Sequence, residues 1–302
     1  MGLDTNGIKL MLYAKRLGVD FKNVVTIGRQ ELHLIPEQLK RYLSQFGIEF
    51  SSDMVSSDLN FCEPFFKIIG AENTDSIDYS KYENATIIHD MNQPMHSDLK
   101  GKFQVVVDAG TLEHVFNFPQ AIKNCMELLN DGGYFISITP ANNFMGHGFY
   151  QFSPELFFSV FTKKNGFDLV KLLICEEIID AQWYEVTKPK GGIQGRVILS
   201  NNNPTYLMCI ARRIDSKCEL FKTTPQQSDY IEAWDQSEIE NLPNSDKLKY
   251  KRFNTYIKEI LKLIPRLETL ITKLYRTLKR AYQHIFKRSF NRRDYMPFNP
   301  LS

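Results

Sequence analysis

The segment that most constrains this chain is Phe103-Gln-Val-Val-Val-Asp108, whose three consecutive valines carry no polar residue between them and whose end is an acid. Successive side chains of a strand point to opposite faces, so an unbroken apolar run describes a strand covered on both sides, as in a parallel sheet flanked by helices. Around it, apolar runs alternate with helical patterns in the order of a parallel α/β sheet, and the alternation ends near Asp215. Lys9 to Leu17 reads as a helix and Asn23-Val-Val-Thr-Ile-Gly28 as the first strand. Two helical stretches follow, Pro36 to Phe46 and Asp58 to Ile69, before the second strand arrives at Ser76-Ile-Asp78. Ala85-Thr-Ile-Ile-His-Asp90 is the third strand and the valine run the fourth. Beyond it come a helix from Pro119 to Leu129, a turn at Asp131-Gly-Gly133 and a fifth strand from Tyr134 to Thr139. Ser153 then caps a helix with Pro154 at its first position. Phe167 to Cys175 and Thr205 to Ile214 supply the last two strands. The expectation is an α/β fold with a doubly wound, mostly parallel seven-stranded sheet and a C-terminal helical extension.

The order of the domains follows from charge. The formal net charge is +2, but residues 247–293 hold about fifteen Lys and Arg against two Glu, leaving the rest of the chain near −11. Residues 1–215 are assigned to the α/β domain, 216–246 to a polar linker and 247–302 to a basic amphipathic tail. In that tail Phe253, Ile257, Ile260, Ile264, Leu267, Ile271, Leu274, Leu278, Ala281 and Ile285 recur at alternating spacings of four and three, with Pro265 set to kink the helix. Leu261, Leu263, Leu270, Tyr275, Tyr282 and Phe286 widen the apolar face. A homo-oligomer seam, a helix docked on a partner protein and a helix lying on an anionic membrane are therefore three open readings. No apolar run approaches the ~20 residues of a membrane span, and the N-terminus lacks the layout of a signal peptide, so a cytoplasmic location is expected, with peripheral attachment at the inner face of the membrane as its variant. Five cysteines, none at Cys-x-x-Cys spacing, suggest neither a disulfide framework nor a thiolate zinc site, and no metal ligand set is read from the sequence.

In an open parallel sheet, ligands sit beyond the carboxyl ends of the strands near the switch in strand order. The residues there are Asp78, whose carboxylate can accept hydrogen bonds from two ribose hydroxyls, then Asp90 and Met91, an acceptor and an apolar contact suited to an adenine. Asp108-Ala-Gly-Thr-Leu-Glu-His114 follows the fourth strand, and Thr139-Pro-Ala-Asn-Asn-Phe-Met-Gly-His-Gly-Phe-Tyr-Gln151 follows the fifth. Glu113 and His114 read as a helix-start pair, a carboxylate in the first turn being favoured by the helix dipole. His147, Tyr150 and Gln151 stand on a glycine-flanked loop where a general base is needed; alternatively, Gly146-His-Gly148 is a tight loop whose imidazole caps a backbone group. His33, His89 and His96 have no ligand spacing.

Asp108-Ala-Gly-Thr-Leu-Glu-His-Val-Phe116, the helix after it and Leu128-Leu-Asn-Asp-Gly-Gly-Tyr-Phe135 resemble the post-fourth-strand block of class I, small-molecule-type S-adenosylmethionine-dependent methyltransferases, over roughly residues 20–215. The resemblance implies a Rossmann-like methyltransferase fold and S-adenosylmethionine as cofactor. By it, Asp78 binds the cofactor ribose, Asp90 and Met91 flank the adenine, and Asp108, Ala109, Gly110 and Thr111 line the methionine side, with Glu113 and His114 at the pocket wall. The family's Gly-x-Gly-x-Gly turn is reduced here to Gly28-Arg29-Gln30; Arg29 either pairs with the cofactor carboxylate or blocks the site. The implied activity is methyl transfer to oxygen or nitrogen of a small molecule or a sugar or glycan, with His147 as base and Tyr150 beside it. The alternatives are a scaffold that keeps the fold without turnover and a nucleic-acid methyltransferase using the basic tail as a phosphate contact. The last ranks lowest, because no aromatic-rich recognition motif is present.

Overall fold

The computed structural model describes residues 2–49, 60–189, 196–231, 234, 277, 290 and 292–301. The heptad seam, Pro265 and most of the basic tail lie outside the described residues. The chain divides into two units, one of residues 1–188, 202–225 and 295–302, the other of residues 189–201 and 226–294. In the second unit, Arg196 pairs with Asp229, and Asp294 pairs with Arg293 at 2.7 Å while accepting the Ile198 N–H at 3.1 Å.

The first unit is built on a nine-stranded mixed sheet. Its parallel half holds β2 (Asn23–Ile27), β4 (Asn73–Asp78), β5 (Ile87–Ile88), β6 (Phe103–Ala109) and β7 (Leu129–Asn142), in the spatial order β5-β4-β2-β6-β7. The chain thus runs outward from β2 to one edge and then returns to build the other side, which puts the topological switch between β2 and β6. Past β7 lie β10 (Thr205–Arg213), antiparallel to both neighbours, then β8 (Phe167–Glu176), β9 (Trp183–Val186) and β11 (Tyr295–Phe298). Two short strands, β1 (Gly2–Leu3) and β3 (Glu31–Leu32), pair separately.

Seven of the nine strands are those expected from the sequence; β9 and β11 extend the sheet beyond the expected seven. Residues 295–298, assigned by composition to the tail, return to this sheet as its edge. The third strand is shorter than its apolar run, and the Asp131-Gly-Gly133 turn is a bulge inside β7: Leu129 pairs with Phe103 but Tyr134 with Val105, so Asn130–Gly133 loops out, with Gly132 at φ +81°.

Val105, Val106 and Val107 are all fully buried, so β6 is covered on both faces, at roughly 1.5–3 kcal/mol per buried side chain. Helix α4 (Phe118–Leu128) packs on β6 and β7, with Pro119 in its first turn, where a missing N–H costs nothing. Its C-terminal carbonyls are closed by the buried Arg213, which donates to Met126 O at 3.0 Å. Helix α1 (Thr5–Arg16) is capped by Asp4, whose side chain accepts the Gly7 N–H at 2.8 Å, and turns Ile8, Leu10, Met11, Leu12 and Ala14 into the core. It packs on α2 (Pro36–Gln45); α3 (Glu63–Ile68) packs on β4 and α5 (Pro154–Val160) on β8. Ser153 stands at the N-cap of α5, yet its side chain makes no capping bond. Among the described residues no helix is long and apolar enough to cross a membrane.

Candidate functional site

The turn after β2 is held closed. Gly28, at φ +71°, donates its N–H to Ile77 O at 2.7 Å, and a Cβ there would stand 2.9 Å from Thr111 Oγ1. Thr111 Oγ1 donates to Ile27 O at 2.6 Å, and the buried Gln30 side chain donates to the same carbonyl and to Thr111 Oγ1. Gln30 therefore fills the floor of the turn from inside. Arg29 points elsewhere: its guanidinium lies 3.8 Å from the Phe61 ring centre, pairs with Glu63 Oε1 at 2.7 Å and donates to Glu83 O at 2.9 Å.

Asp78 ends β4, half-buried, with Oδ1 accepting the Ser80 N–H at 3.2 Å. Asp90 folds onto Asn92, accepting its backbone and side-chain N–H groups at 2.9 and 2.8 Å, which holds its carboxyl below the usual carboxylate range. The buried Met91 offers its carbonyl to Asn124 Nδ2 at 3.2 Å. The strand order thus brings Gly28, Asp78 and Asp90 to one carboxyl edge.

Beyond β6 the sequence expectation needs correcting. Leu112–His114 is a single 3₁₀ turn, and α4 begins only at Phe118, so Glu113 and His114 do not start an α-helix. Asp108 caps the turn instead. Fully buried, its Oδ1 accepts the N–H groups of Thr111 and Leu112 at 3.1 and 3.2 Å, while Oδ2 has no partner among the described residues. Burial, with the nearby Glu113 charge as the lesser cause, pushes its carboxyl well up. Glu113 is also fully buried, and burial pushes its carboxyl up to about 7.

Glu113 anchors the loop after β7. Its carbonyl accepts the N–H groups of Phe149 and Tyr150 at 2.8 and 3.3 Å, and its Oε1 lies 3.1 Å from His147 Nε2. The His147 imidazole thus faces a carboxyl group, and among the described residues the ring caps no backbone group. Tyr150 gives its hydroxyl hydrogen to Phe116 O at 2.6 Å, and Gln151 closes the loop by accepting the Phe144 N–H at 2.8 Å. The His114 ring packs edge-on against His147 with centres 4.8 Å apart; burial, and then the neighbouring His147 charge, lower its pKa.

Glu113 and His147 line a cleft of about 350 Å³ at the carboxyl ends of β6 and β7, floored by Ala109, Gly110, Ile138 and Pro140. Its far wall carries Asp4, Glu177 and Tyr206, with Phe144 stacked on Tyr206 at 5.3 Å between centres. Tyr206 donates to Glu177 Oε1 at 2.6 Å. Asp4, Glu177 and Tyr206 escape sequence reasoning because they belong to three distant segments; the one local signal, Asp4 before a helical run, reads as a cap and nothing more. Three carboxyl groups, of which burial raises the pKa of Asp4 and Glu113, and two aromatic rings make a cleft suited to a polar guest rather than an anion. Among the other sequence candidates, His33 lines this cleft too, whereas His89 and His96 contact each other elsewhere, with ring centres 5.7 Å apart.

No protein-family model matches the chain, and no curated protein matches it in sequence. Solved structures similar to it include 1,6-didemethyltoxoflavin-N1-methyltransferase of Burkholderia thailandensis, crystallised with 1,6-didemethyltoxoflavin and S-adenosylhomocysteine (12% identity over 68% of this chain and 77% of that one, TM-score 0.36). An S-adenosylmethionine-dependent methyltransferase structure from Thermotoga maritima gives 14% identity over 68% and 89%, TM-score 0.35. The branched-chain polyamine synthase of Thermus thermophilus, in complex with N4-aminopropylspermidine and 5'-methylthioadenosine, gives 10% over 74% and 61%, TM-score 0.34.

Proposed function

We propose that the protein is an S-adenosylmethionine-dependent methyltransferase acting on oxygen or nitrogen of a small molecule or sugar. The observation that carries this reading is the Glu113–His147 pair, a buried carboxylate behind a half-exposed imidazole, set in a cleft at the carboxyl ends of β6 and β7 beside the switch point. The cofactor fits the residues along that edge. Asp78 has an oxygen beyond the one bonded to Ser80 and would hold the ribose; Asp90 and Met91 would border the adenine, and Ala109 and Gly110 open from this edge into the cleft. Bound there, the group would supply an electrophilic methyl on a sulfonium. His147 takes the proton of the acceptor as its lone pair is used, and Glu113 orients the ring and stabilises the imidazolium formed.

A second reading, a binding protein without turnover, is favoured by Gln30, whose side chain occupies the turn that glycines keep open in the family the sequence resembles. Calorimetric titration with S-adenosylhomocysteine tests the cofactor site. Micromolar binding that Asp78→Ala weakens tenfold or more supports a cofactor site at this edge. A folded protein that yields no heat, with a melting temperature unmoved by the ligand, rejects it.

A further inference from the structure

Glu113, His114 and His147 are brought together from the 3₁₀ turn after β6 and the loop after β7, and a ligand atom of each lies within 4.8 Å of the others. We propose that they form a site for a divalent transition metal of the Zn²⁺ or Co²⁺ kind at the mouth of the cleft. The proposal rests on this cluster and does not need methyl transfer, but it competes with the role of His147 as base, because an imidazole bound to a metal has no lone pair left for a proton.

Three features carry it. Glu113 is fully buried, yet its Oε2 has no hydrogen-bond partner among the described residues, an arrangement that a bound cation would resolve. The donors are held in advance: the Glu113 carbonyl takes two N–H groups from the loop that carries His147, and no side chain fits between them at Gly148, where a Cβ would stand 2.8 Å from Glu113 O. The spacing also suits the metal. Ligand bonds of ~2.0–2.1 Å place neighbouring donors of a tetrahedral site roughly 3.4 Å apart. His147 Nε2 and Glu113 Oε1 stand at 3.1 Å, and the 4.8 Å bound on the remaining pairs closes by rotation of the exposed His114 ring.

Two imidazoles and one carboxylate select a borderline metal over Mg²⁺ or Ca²⁺, which take oxygen ligands. Three protein ligands leave a coordination position to be filled. Because Glu113 and His147 also line the cleft, its ligand would be water or an oxygen or nitrogen of the cleft's guest.

The full chain, stripped with a chelator, is titrated with Co²⁺ while the visible d–d bands are followed, and bound cobalt is counted after gel filtration. The site requires one Co²⁺ per chain with a visible band, and His114→Ala and His147→Ala should each weaken binding at least about tenfold. Both histidines are exposed, but His147→Ala also removes the side-chain partner of the buried Glu113, so circular dichroism and the melting temperature verify that each variant is folded. His33→Ala, in the same cleft but outside the cluster, should leave binding unchanged. Cobalt binding that survives both cluster substitutions overturns the proposal. So does a folded wild type with no band at millimolar Co²⁺, or a near-ultraviolet sulfur-to-cobalt band, which would put the metal on a cysteine.

Discussion

Two turns at the carboxyl edge of the sheet share one backbone conformation and end in opposite states. Gly28 after β2 and Gly148 after β7 both have φ of +71°. Around Gly28, the side chains of Gln30 and Thr111 turn inward and meet the Ile27 carbonyl, so the turn closes, leaving Gln30 Oε1 without a partner among the described residues. Around Gly148, backbone N–H groups meet the Glu113 carbonyl, and the Glu113 carboxylate and the His147 ring are left facing a cleft. The same local geometry therefore serves as scaffold in one place and as site in the other. What separates them is where the polar side chains point, into the turn at Gly28 and toward the cleft at Gly148.

The largest expected effect comes from adding one methyl group to each turn. At Gly148 the new Cβ would stand 2.8 Å from a backbone oxygen that already accepts two hydrogen bonds and cannot retreat. At Gly28 the obstacle, at 2.9 Å, is the hydroxyl of Thr111, which a rotamer change can move. Left-handed strain applies to both, so Gly148→Ala should cost about 3–4 kcal/mol and Gly28→Ala about 1–2 kcal/mol. Urea denaturation of the two variants measures the difference. Equal losses would mean that the loop after β7 is no more rigid than the turn after β2.

Asp108 sharpens the comparison because it belongs to the scaffold by its bonds and to the site by its orphan oxygen. Asn keeps the acceptor for Thr111 and Leu112 and removes the charge. The folded-state pKa of Asp108 is raised above its ordinary 3.8, chiefly by burial. Its contribution to stability is accordingly full below pH 3.8 and is lost as pH rises through the raised folded value, by up to ~1.4 kcal/mol per pH unit within that window. Wild type should therefore lose stability relative to Asp108→Asn as pH is raised from 5 to 8. Parallel denaturation midpoints across that range would show that Asp108 does not titrate there.

The parts of this fold that were legible in the sequence are those fixed by local pattern. The valine run gave β6 within one residue, and Asp78 and Gly28 were placed at strand ends by β-branched runs that stop at a turn residue. Glu113 misled because Leu-Glu-His reads as a helix start, whereas the structural signal for α4 is Pro119, five residues beyond Glu113's own neighbour His114, with the intervening turn held by Asp108. Edge strand β11 was illegible because it pairs with β9 more than a hundred residues earlier and contains a proline, tolerated only at a sheet edge. The cleft's far wall was hidden for the same reason: no spacing rule relates Asp4 to Glu177 or Tyr206. Long-range pairing, rather than local propensity, decides which polar residues share a site.

The smallest effect concerns Arg29, which the glycine-turn position makes a natural candidate for a cofactor carboxylate. Its guanidinium is instead stacked on Phe61 and bonded to Glu63 and to the Glu83 carbonyl, and it is only about a quarter exposed. A half-buried ion pair and one ring contact together contribute on the order of 1 kcal/mol. Arg29→Ala should lower stability by about that much while changing affinity for S-adenosylhomocysteine less than about twofold. A tenfold loss of affinity at unchanged stability would mean that the guanidinium leaves Glu63 when ligand binds, and the turn after β2 would then be part of the site rather than its closed neighbour.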